Sequence, residues 1–316
     1  MKAKDILKDG REYLVEFTNY DIEKKFGKCN FASDTVADLA HKQTIKNILL
    51  HGCLDHNPRP HYADGIPAHT VSVNHLVTYY DLSKYQFPII TLRPIATKSA
   101  IGELLWIYQD ASNDLDLLKE KYNITWWDEW EVENTRTIGQ VYGATVKRYN
   151  LMYNLLEGIK KDPDGRRHIM SLWQEADFKE PHGLKPCAFM TIWNVRHAED
   201  GDYLDMALIQ RSSDFLVAGS INCTQYSVLL CLAARHLGYK PGMFTWYANN
   251  VQIYDRHIEA AEELYQRKGI SCIPEVWINP EKTNFYDMTI DDIKIIDYPL
   301  KEIKQQNPQI KFDLGI

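Results

Sequence analysis

Between Gln225 and Tyr239 the chain reads QYSVLLCLAARHLGY, apolar almost all the way round a helical wheel. A helix without a polar stripe must be enclosed on every side, so this one predicts a central helix around which other elements are layered. Just upstream, Leu184 to Tyr226 contains two apolar runs separated by a turn signal at Asp200-Gly201. The first opens on Pro186-Cys187. The second, Tyr203 to Ile209, ends in the polar burst Gln210-Arg211-Ser212-Ser213-Asp214, and Asn222 follows just ahead of the buried helix. Two such runs flanking a turn read as a hairpin. That hairpin brings Cys187 alongside Arg211, and a nearby cation lowers a thiol's pKa toward thiolate. The ordinary alternative is a buried core thiol, the usual place of an unpaired cysteine.

The remaining pattern alternates helical and strand periods, which predicts one α/β domain, a mixed sheet with packed helices, after an N-terminal extension over residues 1–35. Asp34 or Thr35 caps a helix carrying Val36, Leu39, Ala40, Ile45, Ile48 and Leu49, and Gly52 ends it. Asn57 to His69 is a proline-rich loop. Thr70 to Tyr80 reads as a strand, and Lys84 to Thr91 as a second, short one. Helices are expected over Lys98 to Tyr108, Asp114 to Tyr122, Tyr149 to Lys161 and His257 to Lys268. Further strands are expected over His168 to Trp173 and Gly242 to Trp246. Ile270 to Ile316 alternates strand-like pieces with polar loops. No run approaches the apolar length needed to cross a bilayer, and the start of the chain lacks the apolar core of a signal peptide.

The net charge of −7 excludes a general attraction to DNA or an anionic membrane, so any phosphate must meet a local arginine cluster. Arg166-Arg167, after the turn Asp162-Pro163-Asp164-Gly165, with Arg211 and Ser212 would suffice for a phosphomonoester, because forked guanidinium donors match phosphate oxygens. The six cysteines form no CxxC pair and show no zinc spacing, which reads as reduced thiols in a cytoplasmic protein. Glu103 lies among the apolar positions of its helix; a carboxylate there needs a partner or a raised pKa, as a structural ion pair or a proton-handling group. Trp126, Trp127 and Trp130 either fill core or form a wall for stacking flat heterocycles. Asn222 either caps the helix or uses its amide, donor beside acceptor, toward a pyrimidine edge.

Taken together these residues resemble the thymidylate synthase family. The likeness is carried by Gln210 to Asp214 with Asn222, Pro186-Cys187, Asp162-Pro163 with Arg166-Arg167, and Trp127-Asp128-Glu129-Trp130. Glu103-Leu104-Leu105-Trp106, Val141-Tyr142-Gly143 and Phe87-Pro88 add to it, in order and at approximate spacing from about Val36 to Tyr298. The resemblance implies a catalytic domain over 36–316, a mixed sheet, and a symmetric homodimer formed through a sheet face. It implies reductive methylation of dUMP with 5,10-methylenetetrahydrofolate supplying carbon and hydride, and no metal or nicotinamide. In such an enzyme Cys187 is the nucleophile, Arg211 and Ser212 hold the phosphate, and Gln210 borders the nucleotide. Arg166 and Arg167 arrive from the partner subunit, Asn222 reads uracil, and Gln252 and Tyr254 face the ribose. Trp126, Trp127, Trp130 and Asp214 border the folate, while Glu103 and Tyr142 serve proton transfers.

The pattern departs from the family at four places. The usual Arg-Thr-Gly-Thr phosphate loop is replaced by ADGIPAHT, with Gly65 at the aligned arginine and Arg59 nearby as a substitute. Ala188 follows the cysteine where a histidine is normal, and Gln252 replaces a histidine but keeps a donor. The chain ends Asp313-Leu314-Gly315-Ile316 instead of in the proline-containing tail that closes over folate. Other readings stay open here. One is a pyrimidine nucleotide hydroxymethylase of the same fold, with water as final acceptor; asparagine at 222 favours uracil. Another is a catalytically impaired nucleotide- or RNA-binding homologue, against which Cys187 and Glu103 argue jointly. A cysteine hydrolase needs a histidine base beside the thiol, and no histidine has that setting.

Overall fold

The computed structural model describes residues 32–315. The expected extension therefore lies outside the described residues, apart from its last four. In chain order the elements are α1 (Val36–His51), β1 (Cys53–Leu54), β2 (Thr70–Asp81), α2 (Thr97–Tyr108), α3 (Leu115–Tyr122), α4 (Gly143–Tyr149) and α5 (Leu151–Lys161). They continue with β3 (Ile169–Ser171), β4 (Ala188–Ala198), β5 (Gly201–Asp214), α6 (Ser220–Leu237), β6 (Lys240–Tyr254), α7 (Ile258–Gln266), β7 (Glu275–Ile278), β8 (Ile293–Ile296) and α8 (Leu300–Gln306).

Side-chain caps set the start of two helices, α1 and α3. Thr35 caps α1 in a reciprocal box: its hydroxyl accepts from the Asp38 N–H at 3.1 Å, and the Asp38 carboxylate accepts from the Thr35 N–H at 3.0 Å. The other expected cap, Asp34, instead ties the chain to α7's exit, accepting from the Gly269 N–H at 2.8 Å. Asp114 caps α3 by accepting from the N–H groups of Asp116 and Leu117. In α5, Met152, Leu155, Leu156 and Ile159 form one buried stripe at helical spacing.

The main sheet runs β1-β2-β6-β5-β4-β3. Among its pairs β5–β6 is parallel and the rest are antiparallel. Parallel neighbours cannot be joined by a tight turn and need a crossover. That crossover is α6, which is why its sequence is apolar all round: it packs on β5 and β6 and is covered by α2. With the π-helical turn Phe215–Gly219 it makes a 23-residue helical stretch long and apolar enough to cross a membrane, correcting the sequence-based expectation that no run is. Here its surroundings are the protein core.

Three further expectations are corrected. Lys84 to Thr91 is not a strand, because both edges of β2 are taken by β1 and β6. Side chains satisfy this segment's backbone instead: Thr224 donates to Pro88 O, Tyr298 to Ile90 O, and the Thr91 N–H donates to Asp38. Gly242 to Trp246 is only the start of β6, which continues through Asn249 and Gln252 because β2 and β5 flank it on both sides. Near the C-terminus α8 appears where a polar sequence with one buried residue, Ile303, showed no period. Among the described residues, no helix is packed on the sheet face opposite α6. Across it run two apolar rows, Ile169-Ile192-Ala207-Thr245-Tyr79 and Met190-Ile209-Tyr247-Val77.

Candidate active site

At the C-terminal ends of β5 and β6, and at the N-terminal end of β4, a cleft of about 650 Å³ opens over the sheet. Cys187 enters it immediately before β4, and Arg211 faces it from β5. Register makes this pairing: Ala188 lies opposite Gln210, and the Arg211 N–H donates to Cys187 O at 2.9 Å. The Arg211 guanidinium donates to Pro186 O at 2.9 Å and to Lys185 O at 2.8 Å, so it holds the cysteine's approach loop in place. Behind it, the Cys187 N–H donates to the Tyr142 hydroxyl at 3.2 Å. Tyr142 has φ of +49°, a conformation costly for an aromatic residue and one that aims its phenol at this loop. Gly143 must follow, since a Cβ there would lie 1.9 Å from Ser112 O. The expectation that Arg211 brings the thiol toward thiolate is met in sign but outweighed. Burial pushes the Cys187 thiol above its ordinary value, and Arg211 only reduces that rise.

The amides in the cleft have a forced orientation. The Trp246 indole can only donate, and it donates to Gln210 Oε1 at 2.9 Å. Gln210 Nε2 therefore points to Ser212 O at 3.0 Å and Asn222 Oδ1 at 3.1 Å. Asn222 is thereby left with its Nδ2 donors turned onward. It does not cap α6, but sits in that helix's first turn, with Gly219 at the cap position. Asp214, the last residue of β5, and Arg93 fix the turn that follows. Asp214 accepts from the Val217 N–H, and buried Arg93 donates to Leu216 O at 2.6 Å. Burial raises the Asp214 carboxyl to about 7 against the pull of the Val217 N–H and Arg93.

Glu103 is buried and accepts from the Trp126 indole at 3.0 Å, together with the Trp127 indole and the Gln225 amide. Burial raises its pKa, and these donors hold it down. The same bonds correct the stacking wall expected of the tryptophans. Trp127 sits in the core and Trp126 lies off the cleft, so of the three only Trp130 lines it, with Trp173 as a second indole.

Ser212, Gln252 and Tyr254 line the cleft with Arg59. Gly65 does not: it occupies an exposed turn with φ of +79°. The position aligned with the family's arginine is thus off the site, and Arg59 stands at it. The C-terminal segment reaches the cleft. Leu314 and Gly315 line it, Asp313 O lies 2.8 Å from His257 Nε2, and a Cβ on Gly315 would approach Tyr254 to 2.7 Å. Arg166 and Arg167 are exposed beyond the turn before β3 and do not line this chain's own cleft.

Sequence reasoning missed Arg93, Trp173, Gln225 and the buried pair Tyr108–Tyr226, whose hydroxyls meet at 2.7 Å and reach Ala188 O. Gln225 alone left a trace, as a large amide on an otherwise apolar helix.

A mixed sheet that presents a cysteine to a cleft lined by Arg59 and Arg211, near a buried carboxylate, has the groups found in α/β enzymes that work by covalent catalysis. The comparisons give the family. The thymidylate synthase family model matches residues 40–314. The chain is 48% identical over 284 residues to the thymidylate synthase of Streptococcus sanguinis, covering 89% of this chain and all of that one. It is 48% identical over 285 residues to that of Lactococcus lactis subsp. cremoris, with the same coverage. The thermostable thymidylate synthase A from Bacillus subtilis superposes with a TM-score of 0.80 at 33% identity, covering 88% of this chain and 99% of that one. The chain belongs to the thymidylate synthase family.

Proposed function

We propose that this enzyme is a methyltransferase that converts dUMP to dTMP, with 5,10-methylenetetrahydrofolate as co-substrate. The observation that carries the reading is Cys187, its backbone bonded to Arg211 and Tyr142, lining the same cleft as Asn222. The folate supplies the one-carbon unit and the hydride. This chain's residues do the rest. Carbon 5 of uracil is a poor nucleophile; addition of the Cys187 thiolate at carbon 6 pushes the ring's electrons toward carbon 5 and the carbonyl, which becomes an enolate. The Asn222 Nδ2 donors face the base edge, where they stabilise the developing oxyanion. Glu103, made more basic by burial and held in place by Gln225, Trp126 and Trp127, handles the carbon 5 proton with Tyr142 through water. Expulsion of the thiolate then restores the ring. Trp130 and Asp214 border the folate, and Gln252 and Tyr254 border the sugar.

Arg59, Arg211 and Ser212 bind the phosphate, joined by Arg166 and Arg167 of a second copy. The open sheet face supports such a homodimer, since Val77, Tyr79 and Ile169 are 39%, 65% and 52% exposed on its apolar rows. Free thiols at Cys53, Cys187, Cys223, Cys231 and Cys272 support a cytoplasmic setting.

The test is covalent capture. Incubated with 5-fluoro-dUMP and methylenetetrahydrofolate, the enzyme should form an adduct stable to denaturation, and Cys187→Ala should form none. No adduct on the unaltered protein defeats the reading.

A further inference from the structure

The turn that carries Arg166 and Arg167 is tied to the sheet by two histidines. Buried His168 places Nε2 2.7 Å from Asp162 O, and the Gly165 N–H donates to the same carbonyl at 3.0 Å. The turn is tight: a Cβ on Gly165 would lie 2.7 Å from Asp162 Oδ2 and 2.8 Å from His168 Nε2. On its outer side His197, near the end of β4, lies between two carboxylates. Its Nδ1 is 2.8 Å from Asp202 Oδ1 in β5, and its Nε2 is 3.0 Å from Asp164 Oδ1 in the turn. A neutral imidazole has one donor and one acceptor, and only the imidazolium donates from both nitrogens. Both contacts together therefore require the protonated ring; the neutral ring turns a lone pair on one carboxylate.

We propose that His197 is a positioning residue for nucleotide binding: protonated, it clamps Asp164 and with it the Arg166-Arg167 turn to the sheet, and deprotonation releases that turn. The inference rests on the reading that these two arginines grip the phosphate in a partner's cleft. Other groups facing the cluster leave its logic intact. Tyr239 feels both Asp202 and Asp164, and Lys240 from β6 is engaged with Asp200 at 3.1 Å. The bonds to Asp202 and then Asp164 hold the His197 pKa above the ordinary histidine value. A raised folded-state pKa means the clamp is complete at low pH and is lost as pH rises through that value.

The experiment measures dUMP binding and steady-state kinetics from pH 6 to 9 on the full-length protein, with His197→Gln, Asp164→Asn and Arg166→Ala. The nucleotide's own phosphate titrates near pH 6, so each variant is read as a ratio to the unaltered enzyme at the same pH. His197→Gln should weaken dUMP binding about two- to fivefold at pH 6, as befits an exposed ion pair, and converge on the unaltered enzyme by pH 9 with kcat unchanged. Asp164→Asn should do the same and lower the His197 pKa read by NMR. A His197→Gln ratio flat at one across the range, or a change in kcat without a change in KM, overturns the clamp. Arg166→Ala separates the two layers. If it weakens binding while His197→Gln does not, only the clamp fails; if it too leaves binding unchanged, the two-subunit phosphate site fails and the clamp with it.

Discussion

Replacing Trp246 by phenylalanine keeps the buried ring but removes the donor that orients the cleft's amides. Trp246 and Gln210 are 2% and 1% exposed, so no water replaces the lost N–H and Gln210 Oε1 is left unpaired. An unsatisfied buried carbonyl costs about 1–3 kcal/mol, and the variant should lose that much stability in urea unfolding. A second contact, Gln210 Nε2 to Ser212 O at 3.0 Å, still favours the original amide orientation, so orientation is weakened but not reversed. One neutral hydrogen bond contributes about 1 kcal/mol, roughly a fivefold factor in an equilibrium. Preference for dUMP over dCMP should therefore fall about fivefold in Trp246→Phe, measured as the ratio of the two dissociation constants. It should fall further in Gln210→Leu, where Asn222 keeps neither lock. A Trp246→Phe enzyme that loses stability but keeps its full dUMP preference refutes the argument that this relay sets the polarity of Asn222.

Glu103→Gln places an amide nitrogen against Gln225 Nε2, which also donates to Ala100 O at 3.0 Å and so cannot turn away. Turnover should drop by about 10²–10⁴, as for loss of a proton-transfer group, with dUMP binding nearly kept; tritium release from the 5-position of dUMP reads it, and turnover within a few-fold of normal removes Glu103 from the proton path. Asp214, raised to about 7 by burial, contributes stability present below its unfolded value near 4 and lost as pH climbs through 7. Asp214→Asn should thus gain on the unaltered enzyme in thermal melts between pH 5 and pH 8, and an unchanged gap sinks that assignment. Arg256 joins the Asp64 loop at 2.7 Å to the tail's Asp313 at 3.4 Å. Its replacement by alanine should raise KM for the folate about two- to fivefold, in line with exposed pairs; equal KM values mean the tail holds without it.

Several features were legible because they are local. The cap at Thr35, the α5 stripe and the hairpin around Asp200-Gly201 depend on residues a few positions apart, whose spacing is the signal. The all-round apolar composition of α6 required enclosure before any strand order was known. Cys187 and Arg211 could be paired in advance because they flank the same hairpin. Arg59 was legible only as a nearby substitute, and Arg93 not at all, since an arginine between apolar neighbours has no period to betray its partner 123 residues away at Leu216.

The amino-acid sequence by itself determined the crossover helix, the hairpin beside it and the chemical identity of the groups at its open end. Tertiary structure alone decided which tryptophans reach Glu103 and which line the cleft, that β6 runs on through polar residues, and that the Cys187 thiol is raised despite its cation. Each of these depends on how much water a group loses and which distant dipoles replace it, quantities that arise only once the strand order brings remote segments together.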